Sequence, residues 1–524
     1  VGTAFKKMHD EGIIYRGYRT VNWSAKGQST CSDDEVVYQT RPAKLYTFRY
    51  SKDFPLAIAT TRPETKLGDT AVAVHPDDDR YREHVGKTFE IGSFAEGPKL
   101  SIRIIAARMV DPAFGTGAVG ITPAHSHTDY DFYVRHKDEL AFAPTGEPVI
   151  GTDSKITAAG SDTYAGLSVE EAREKVIASL KTQGLLEKEE DIEQNVGTSD
   201  RFGDIIEVLP MKQWFIDVNK PFDRDGRQET LKSLMQSAVR SGSIRILPER
   251  FEKNYFHWVD NLRDWCISRQ IWYGHRIPVW YCLSCQKERV DATVKSRWFF
   301  VRHGETDWNR EKKLQGNSDI PLNETGRAQA LQAATQLRHQ NIGVIFSSHL
   351  ARARETADII NRDIGADIII DERLREREMG AVEGRSIISI KEEYPDFDRY
   401  TGKSAGNESY EEMEQRMWTA VTEHLGVHSH TNVVIVSHGA ALRALFRRIR
   451  NVDPDVIMTI GKIPNAQPIP IDILDPCEGC GGHFFEQEND TLDTWFSSGL
   501  WTFSTLGWAS DEAKWQREKL YHPT

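Results

Sequence analysis

The sequence predicts an α/β multidomain protein, and three observations carry that expectation. The length of 524 residues exceeds what one core usually organises; at roughly 100–200 residues per domain it corresponds to about three or four domains. The text also changes style along the chain. Short β-favouring runs dominate from Ala43 to about Leu209, aromatic residues crowd 210–281, and apolar strands alternate with helical patterns across 296–475. Finally, the aromatic-rich style resumes after Asp475, so the alternating block interrupts a segment that continues behind it. With 39% hydrophobic residues the cores can be built, which excludes wholesale disorder. No apolar run approaches the ~18–20 residues that cross a bilayer, and a membrane partner is not expected.

Residues 1–43 open with an amphipathic pattern (Phe5, Met8, Ile13) and then read as irregular. The start Val1-Gly2-Thr3-Ala4-Phe5 has no Met and no basic or apolar leader region, so the chain is expected to be part of a longer protein. Leu45–Phe48, Leu56–Ala59, Ala71–Val74 and Ile102–Ile105 read as strands separated by Gly, Pro and Asp. One helix, Ser168 to Leu180, interrupts them behind a capping box of Ser168 and Glu171. The rings of 210–281 (Trp214, Phe215, Tyr255, Phe256, Trp258 and Trp272 among them) predict a packed helical core. From 296 onward, Trp298–Val301, Val344–Phe346 and Val433–Val436 read as strands between helical patterns, which predicts a parallel or mixed sheet.

Charge and cysteine usage narrow the function. Lys and Arg number 66 against 78 Asp and Glu, a net charge of −12, which argues against an overall basic nucleic-acid surface and leaves room for a local one. Cys282-x-x-Cys285 and Cys477-x-x-Cys480 are two thiolate half-sites of the kind that hold structural zinc. They stand 192 positions apart, but removing the intervening block joins them into one ribbon. Such thiol pairs suit a reducing compartment, so a cytoplasmic location is expected, with Cys31 and Cys266 as core or surface thiols. A rival metal pattern, His125-x-His127-x-Asp129, lacks an evident third ligand cluster.

Two predicted strands end in histidine, at Val301-Arg302-His303-Gly304-Glu305 and at Val436-Ser437-His438-Gly439. Ligands of open α/β sheets bind at the carboxyl ends of strands, so two imidazoles with nearby arginines suit a nucleophile and a cationic pocket for a phosphoryl group. Arg302-His303-Gly304-Glu305-Thr306-x-x-Asn309 resembles the signature of the histidine phosphatase superfamily. The resemblance extends through Ser348-x-Leu350-x-Arg352-Ala353, Leu374-Arg375-Glu376 and Ser437-His438-Gly439. It implies that His303 accepts the phosphoryl group, that Arg302, Asn309, Arg352 and His438 grip its oxygens, and that Glu376 protonates the leaving oxygen. The short segment between motifs favours a small phosphatase acting on a phosphomonoester that the sequence does not name.

The remainder resembles the valyl-tRNA synthetases, a family of class I aminoacyl-tRNA synthetases. The carrying motifs are Thr60-Thr61-Arg62-Pro63-Glu64-Thr65, Gly115-Thr116-Gly117-Ala118, Ile121-Thr122-Pro123-Ala124-His125, Asp264-Trp265-Cys266-Ile267-Ser268-Arg269-Gln270 and Leu492-Asp493-Thr494-Trp495. The resemblance implies a connective part of the synthetase core at 1–43 and a β-rich editing domain at 44–209. It implies segments of a Rossmann-type catalytic core at 210–281 and 492–524, a zinc ribbon split between 282–295 and 475–491, and the phosphatase-like insertion at 296–474. The adenylate-forming signatures His-Ile-Gly-His and Lys-Met-Ser-Lys-Ser are absent, so ATP and magnesium are expected only for a full-length synthetase.

What the resemblance leaves to this chain is hydrolysis of mischarged threonyl-tRNA, with valine tRNA as partner and a monomeric state. Thr60, Thr61, Arg62 and Glu64 would line the site for the ester and terminal adenosine, Thr122 would meet the wrong side chain, and Asp129 would hold the amino group. Two departures bear on this: related bacterial enzymes usually carry Lys where this chain has Gly120, and Asp where it has Ser126. Two other readings stay open. The chain could act primarily as a phosphatase on a synthetase scaffold, or the insertion could serve only as a docking module.

Overall fold

A computed structural model describes residues 1–290, 292–393, 408–453 and 461–518. Parts of the predicted insertion and the end of the last core segment therefore lie outside the described residues. Val1–Ile277 with Asn489–Thr524 form one unit, and Pro278–Glu488 form the other.

In the first unit, helix α1 (Gly2–Asp10) leads into strand β1 (Ile14–Ser24), β2 (Ser29–Cys31) and β3 (Val36–Phe48). The irregular reading of 1–43 is therefore corrected: most of that stretch is strand. Its partners are remote in sequence, which local propensity cannot reveal. β4 (Ile58–Thr60), β5 (Ala71–Val74), β6 (Thr88–Ile91), β7 (Leu100–Ala106) and β8 (Ala118–Ile121) follow, then α2 (His127–Arg135) and α3 (Val169–Gln183). The capping box at Ser168 and Glu171 is present, and Gly184 ends α3 in the left-handed conformation at φ 68°. β9 (Leu186–Ser199) pairs antiparallel with the whole of β3, so the expected boundary at 43/44 falls inside a continuous ribbon.

β5 shows how this domain is filled. In Ala71-Val72-Ala73-Val74, alternate side chains enter opposite layers, because successive residues of a strand face opposite ways. Val72 and Val74 join the core with Phe48, Ile58, Ile104 and Leu180, whereas Ala71 and Ala73 join Ile121, Tyr130 and Phe132.

β10 (Ile206–Ile216) pairs antiparallel with β1 along its length and carries Trp214 and Phe215 into the core. This corrects the helical expectation for 210–281. The segment holds only two α-helices, α4 (Leu231–Arg240) and α5 (Glu252–Asp260). Besides β10, it holds the hairpin β11 (Phe222–Arg224) with β12 (Arg227–Glu229) and the short strands β13 (Trp265–Cys266) and β14 (Ser268–Arg269), and it ends in the first strand of the second unit. Trp258, Trp272 and Tyr273 are exposed rather than packed.

The second unit is built on one eight-stranded mixed sheet. Its strands are β15 (Val279–Cys282), β16 (Glu288–Val290), β17 (Ser296–Arg302), β18 (Ile342–Ser347), β19 (Asp367–Ile370), β20 (Asn432–Ser437), β21 (Ile469–Ile473) and β22 (Phe484–Gln487), in spatial order β16-β15-β22-β21-β17-β20-β18-β19. The helices are α6 (Asp307–Arg310), α7 (Glu324–Leu337), α8 (Ala351–Asn361), α9 (Ile387–Glu393), α10 (Tyr410–His428) and α11 (Gly439–Ile449). β17 is buried on both faces: Trp298 and Phe300 pack with residues of α10 and α11, and Phe299 and Val301 with residues of α7 and α8. A strand covered on both sides reads as a continuous apolar run. That layering aims the ends of β17 and β20, paired in parallel, at one edge of the sheet.

Candidate functional site

His303 follows β17 directly and His438 follows β20, so the parallel pairing of Arg302 with Ser437 sets the two imidazoles side by side, 5.2 Å between ring centres. The turn after His303 is fixed by backbone contact. A Cβ at Gly304 would overlap the carbonyl of Gly326 in α7, and the Gly304 N–H donates to Thr356 Oγ1 at 3.0 Å. His303 Nδ1 lies 2.7 Å from the Gly304 carbonyl. A carbonyl only accepts, so Nδ1 carries the proton and Nε2 keeps its lone pair.

The same logic assigns His438. Arg352 Nε donates to His438 Nδ1 at 3.2 Å, so Nε2 bears the proton and donates to Ser348 Oγ at 2.9 Å. Arg352 is fully buried and held by the carbonyls of Ser318 (2.7 Å) and Gly316 (2.8 Å). Burial pushes both histidines well below the ordinary value, reinforced for each by the Arg352 and Arg302 charges. Burial also lowers Arg352, to about 10, with the fields of Glu376, Asp319 and Glu383 working against it. Two neutral imidazoles beside the buried Arg352 and the half-buried Arg302 make a site suited to an anion.

The remaining predicted residues fall around this pair. Arg302 donates to the Ile463 carbonyl at 2.9 Å. Glu376 sits at the N-terminus of α11 and accepts from the N–H groups of Ala440 (3.2 Å) and Ala441 (3.1 Å). Asn309 closes a capping box on α6: its Oδ1 accepts from the Thr306 N–H, which leaves the Nδ2 end as its donor. Sequence reasoning assigned no role to Ser348, although it stands in the quoted motif. It missed Asn465 entirely, whose Nδ2 donates to the His303 carbonyl at 2.8 Å.

The four paired cysteines converge. Cys282, Cys285, Cys477 and Cys480 place their sulfurs within 4.8 Å of one another, with 3.5 Å between Cys282 and Cys480 and 3.6 Å between Cys285 and Cys477. Four thiolates at about 2.3 Å from a tetrahedral ion stand roughly 3.8 Å apart, so this set fits such an ion. Cys31 and Cys266 are buried.

In the β-rich domain, β8 and the start of α2 bring Thr122 and Asp129 together, the Thr122 N–H donating to Asp129 Oδ2 at 2.9 Å. Thr122 Oγ1 donates to Asp69 and accepts from Lys66 Nζ at 2.7 Å. Ser126 caps α2 by accepting from the Asp129 N–H, a task that Asp performs equally well. A Cβ at Gly120 would overlap Asp69 Oδ2 and approach Tyr50 Oη to 2.6 Å. Lys66 Nζ instead donates to the Gly120 carbonyl at 2.9 Å. Burial raises Asp69 and Asp129, with Lys66 pulling both the other way.

Thr60 Oγ1 accepts from the Arg62 N–H at 3.0 Å, and Thr61 is half-buried beside it. Glu64 is corrected as a ligand-facing residue. It is fully buried and consumed by Arg173 (2.8 Å) and Arg62 (3.2 Å), while Arg62 also pairs with Glu207 at 2.7 Å. Its role is to hold Arg62. The metal pattern at His125 also fails. Its nitrogens meet the Val208 carbonyl and the Ile150 N–H, and those of His127 meet Thr20 Oγ1 and Asn22 Oδ1. No nitrogen is left for an ion. Among the described residues, the four-cysteine set is the metal-competent cluster, and no helix is long and apolar enough to cross a membrane.

Comparison with known proteins gives two matches along the chain. The family model described as tRNA synthetases class I (I, L, M and V) matches residues 1–330 and 458–524, and that of the histidine phosphatase superfamily (branch 1) matches 298–472. The valine–tRNA ligase of Protochlamydia amoebophila is 45% identical over 287 residues, covering 54% of this chain and 28% of the relative. That of Symbiobacterium thermophilum is 43% identical over 300 residues, covering 56% of this chain and 30% of the relative. The chain thus spans under a third of these relatives' length. A mycobacterial glucosyl-3-phosphoglycerate phosphatase structure is 27% identical, covering 38% of this chain and 98% of its own, with a TM-score of 0.34.

Proposed function

We propose, for a chain that belongs to the class I tRNA synthetases and carries a histidine-phosphatase-like domain within it, that the insertion is a working phosphomonoesterase with His303 as nucleophile. The observation that carries this reading is the His303 tautomer: Nδ1 is tied to the Gly304 carbonyl, and Nε2 keeps its lone pair beside His438 and Arg352. Nε2 forms the N–P bond as the P–O bond to the leaving alcohol breaks, and Glu376 gives that oxygen its proton. A water oxygen then attacks phosphorus, the N–P bond breaks, Glu376 recovers a proton, and phosphate departs. Arg302, Arg352 and the Asn309 amide stabilise the charge on the equatorial oxygens, joined by the His438 Nε2–H when it exchanges Ser348 Oγ for a phosphoryl oxygen. Release of nitrophenol from p-nitrophenyl phosphate tests the reading. His303→Ala abolishes turnover and trapping of a phosphoenzyme, and Glu376→Gln slows alkyl phosphates more than the nitrophenyl ester. Wild-type turnover in His303→Ala overturns it.

A second activity is favoured by the Thr122 and Asp129 pair. The β-rich domain hydrolyses threonyl esters of valine tRNA: water adds to the ester carbonyl, the bond to the ribose oxygen breaks, and Asp129 holds the substrate ammonium by a charge-assisted bond. A hydrophobic valine pocket rejects threonine weakly, so a second site is needed. Thr60, Thr61 and Arg62 flank the terminal nucleotide in this reading. Selective hydrolysis of threonyl- over valyl-tRNA, lost in Asp129→Ala, is expected; equal slow hydrolysis of both esters overturns it. The four cysteines hold one structural zinc ion, and the whole ligase of which this chain forms part uses ATP and magnesium, as a cytoplasmic monomer.

A further inference from the structure

Beside the Thr122 and Asp129 pair lies a buried lysine. Lys66 comes from the 3-10 turn Pro63–Gly68, and its Nζ donates to Thr122 Oγ1 (2.7 Å), to the Gly120 carbonyl (2.9 Å) and to Asp69 Oδ1 (3.2 Å). An ammonium has three donors, so its bonding is complete. Asp69 also accepts the hydroxyls of Tyr50 and Thr122.

These bonds fix what Thr122 can still do. A hydroxyl offers one proton and two lone pairs. Its proton goes to Asp69 and one lone pair to Lys66, so the function left to it is to accept one further hydrogen bond. The charges are divided in the same way. Lys66 is paired with Asp69, while Asp129 forms no ion pair among the described residues. Gly120 completes the arrangement, because Asp69 and Tyr50 occupy the space where its side chain would begin. The cation beside Thr122 therefore enters from position 66, and the Gly120 carbonyl receives it.

We infer that Lys66 is the positioning residue for side-chain discrimination: it locks the Thr122 hydroxyl as an acceptor that selects aminoacyl esters whose side chain donates a hydrogen bond, and it satisfies Asp69 so that Asp129 remains the anion for the substrate ammonium. This rests on the deacylase reading above.

The test compares valine tRNA charged with threonine and with 2-aminobutyrate, which lacks the hydroxyl, for wild type, Asp129→Ala and Lys66→Met. The quantity read is the ratio of kcat/KM for the two esters. Lys66→Met lowers that ratio about tenfold, the worth of one hydrogen bond of ordinary to charge-assisted strength, while 2-aminobutyryl ester is still cleaved. A general packing defect would lower both esters alike and leave the ratio unchanged; that result overturns the role of Lys66. Should Lys66→Met alone fail to fold, Lys66→Met/Asp69→Asn removes the stranded carboxylate and is read by the same ratio. A wild type that cleaves the threonyl ester no faster than Asp129→Ala overturns the deacylase reading instead, and the inference with it.

Discussion

Arg352 shows why a charge alone does not define a residue. Its guanidinium spans three acceptors at once: His438 Nδ1 and the carbonyls of Ser318 and Gly316. Lysine keeps the charge but cannot reproduce that fork. Arg352→Lys is expected to lose at least two of the three bonds, at about 1.5–3 kcal/mol each, and so to lower kcat/KM by about a hundredfold or more. Steady-state kinetics on p-nitrophenyl phosphate checks this. A second expectation concerns protonation. Because burial and then Arg352 depress both His303 and His438, nitrogen-15 NMR of the imidazoles should find both rings neutral at the ordinary midpoint of ~6.5. His303 should then be the Nδ1–H tautomer and His438 the Nε2–H tautomer.

At the scale of elements, the four-cysteine ribbon is part of the sheet of the histidine-phosphatase-like domain. β15, β16 and β22 continue through β21 into β17, so the cysteine turns and the strand that leads into His303 share one hydrogen-bonded ladder. Ser284, between Cys282 and Cys285, donates to the carbonyl of Ile449 at the end of α11, the helix that begins behind His438. Chelation, or Cys282→Ser with Cys477→Ser, should therefore lower the melting temperature of the phosphatase-containing transition together with the zinc content, because metal affinity in such sites is folding free energy. An unchanged transition after complete zinc loss would contradict this. In the other unit, Gly120→Ala should cost about 1–3 kcal/mol by overpacking against Asp69 and Tyr50, measured by urea denaturation.

The whole molecule carries a pH liability in its synthetase unit. Burial lowers His125 to about 3 and His127 to about 4, the charges of Arg62 and Arg263 respectively adding to it. The unfolded chain protonates near ~6.5, so below that value the unfolded state binds more protons and stability falls with pH. The loss runs from ~6.5 down to about 4 for His127 and about 3 for His125, at about 1.4 kcal/mol per pH unit for each ring. Asp69 and Asp129, raised by burial, act in the opposite sense at lower pH. The denaturation transition of this unit, followed between neutral pH and ~5, should thus show the histidine slope, and His127→Asn should about halve it, since His303 and His438, also depressed, lie in the other unit. A flat profile would mean that these rings titrate normally.

What the sequence determined by itself is the chemistry that local spacing encodes. Two apolar runs ending in His303 and His438 announced adjacent strand ends, because a doubly covered parallel strand has to be apolar and its carboxyl end has to be open. The two Cys-x-x-Cys turns announced a divided site, because thiolates with two residues between them can chelate one ion. The tertiary structure alone decided what depends on remote partners. It paired 36–48 with 186–199 across an expected boundary, turned Trp214 and Phe215 into strand residues, and exposed Trp272 and Tyr273. It also consumed both imidazoles of His125 and His127, buried Glu64 between two arginines, and set Lys66 against the Gly120 carbonyl. In each case the deciding energy is the desolvation of a polar group or ring, which depends on neighbours far along the chain and leaves no periodicity or motif in the sequence.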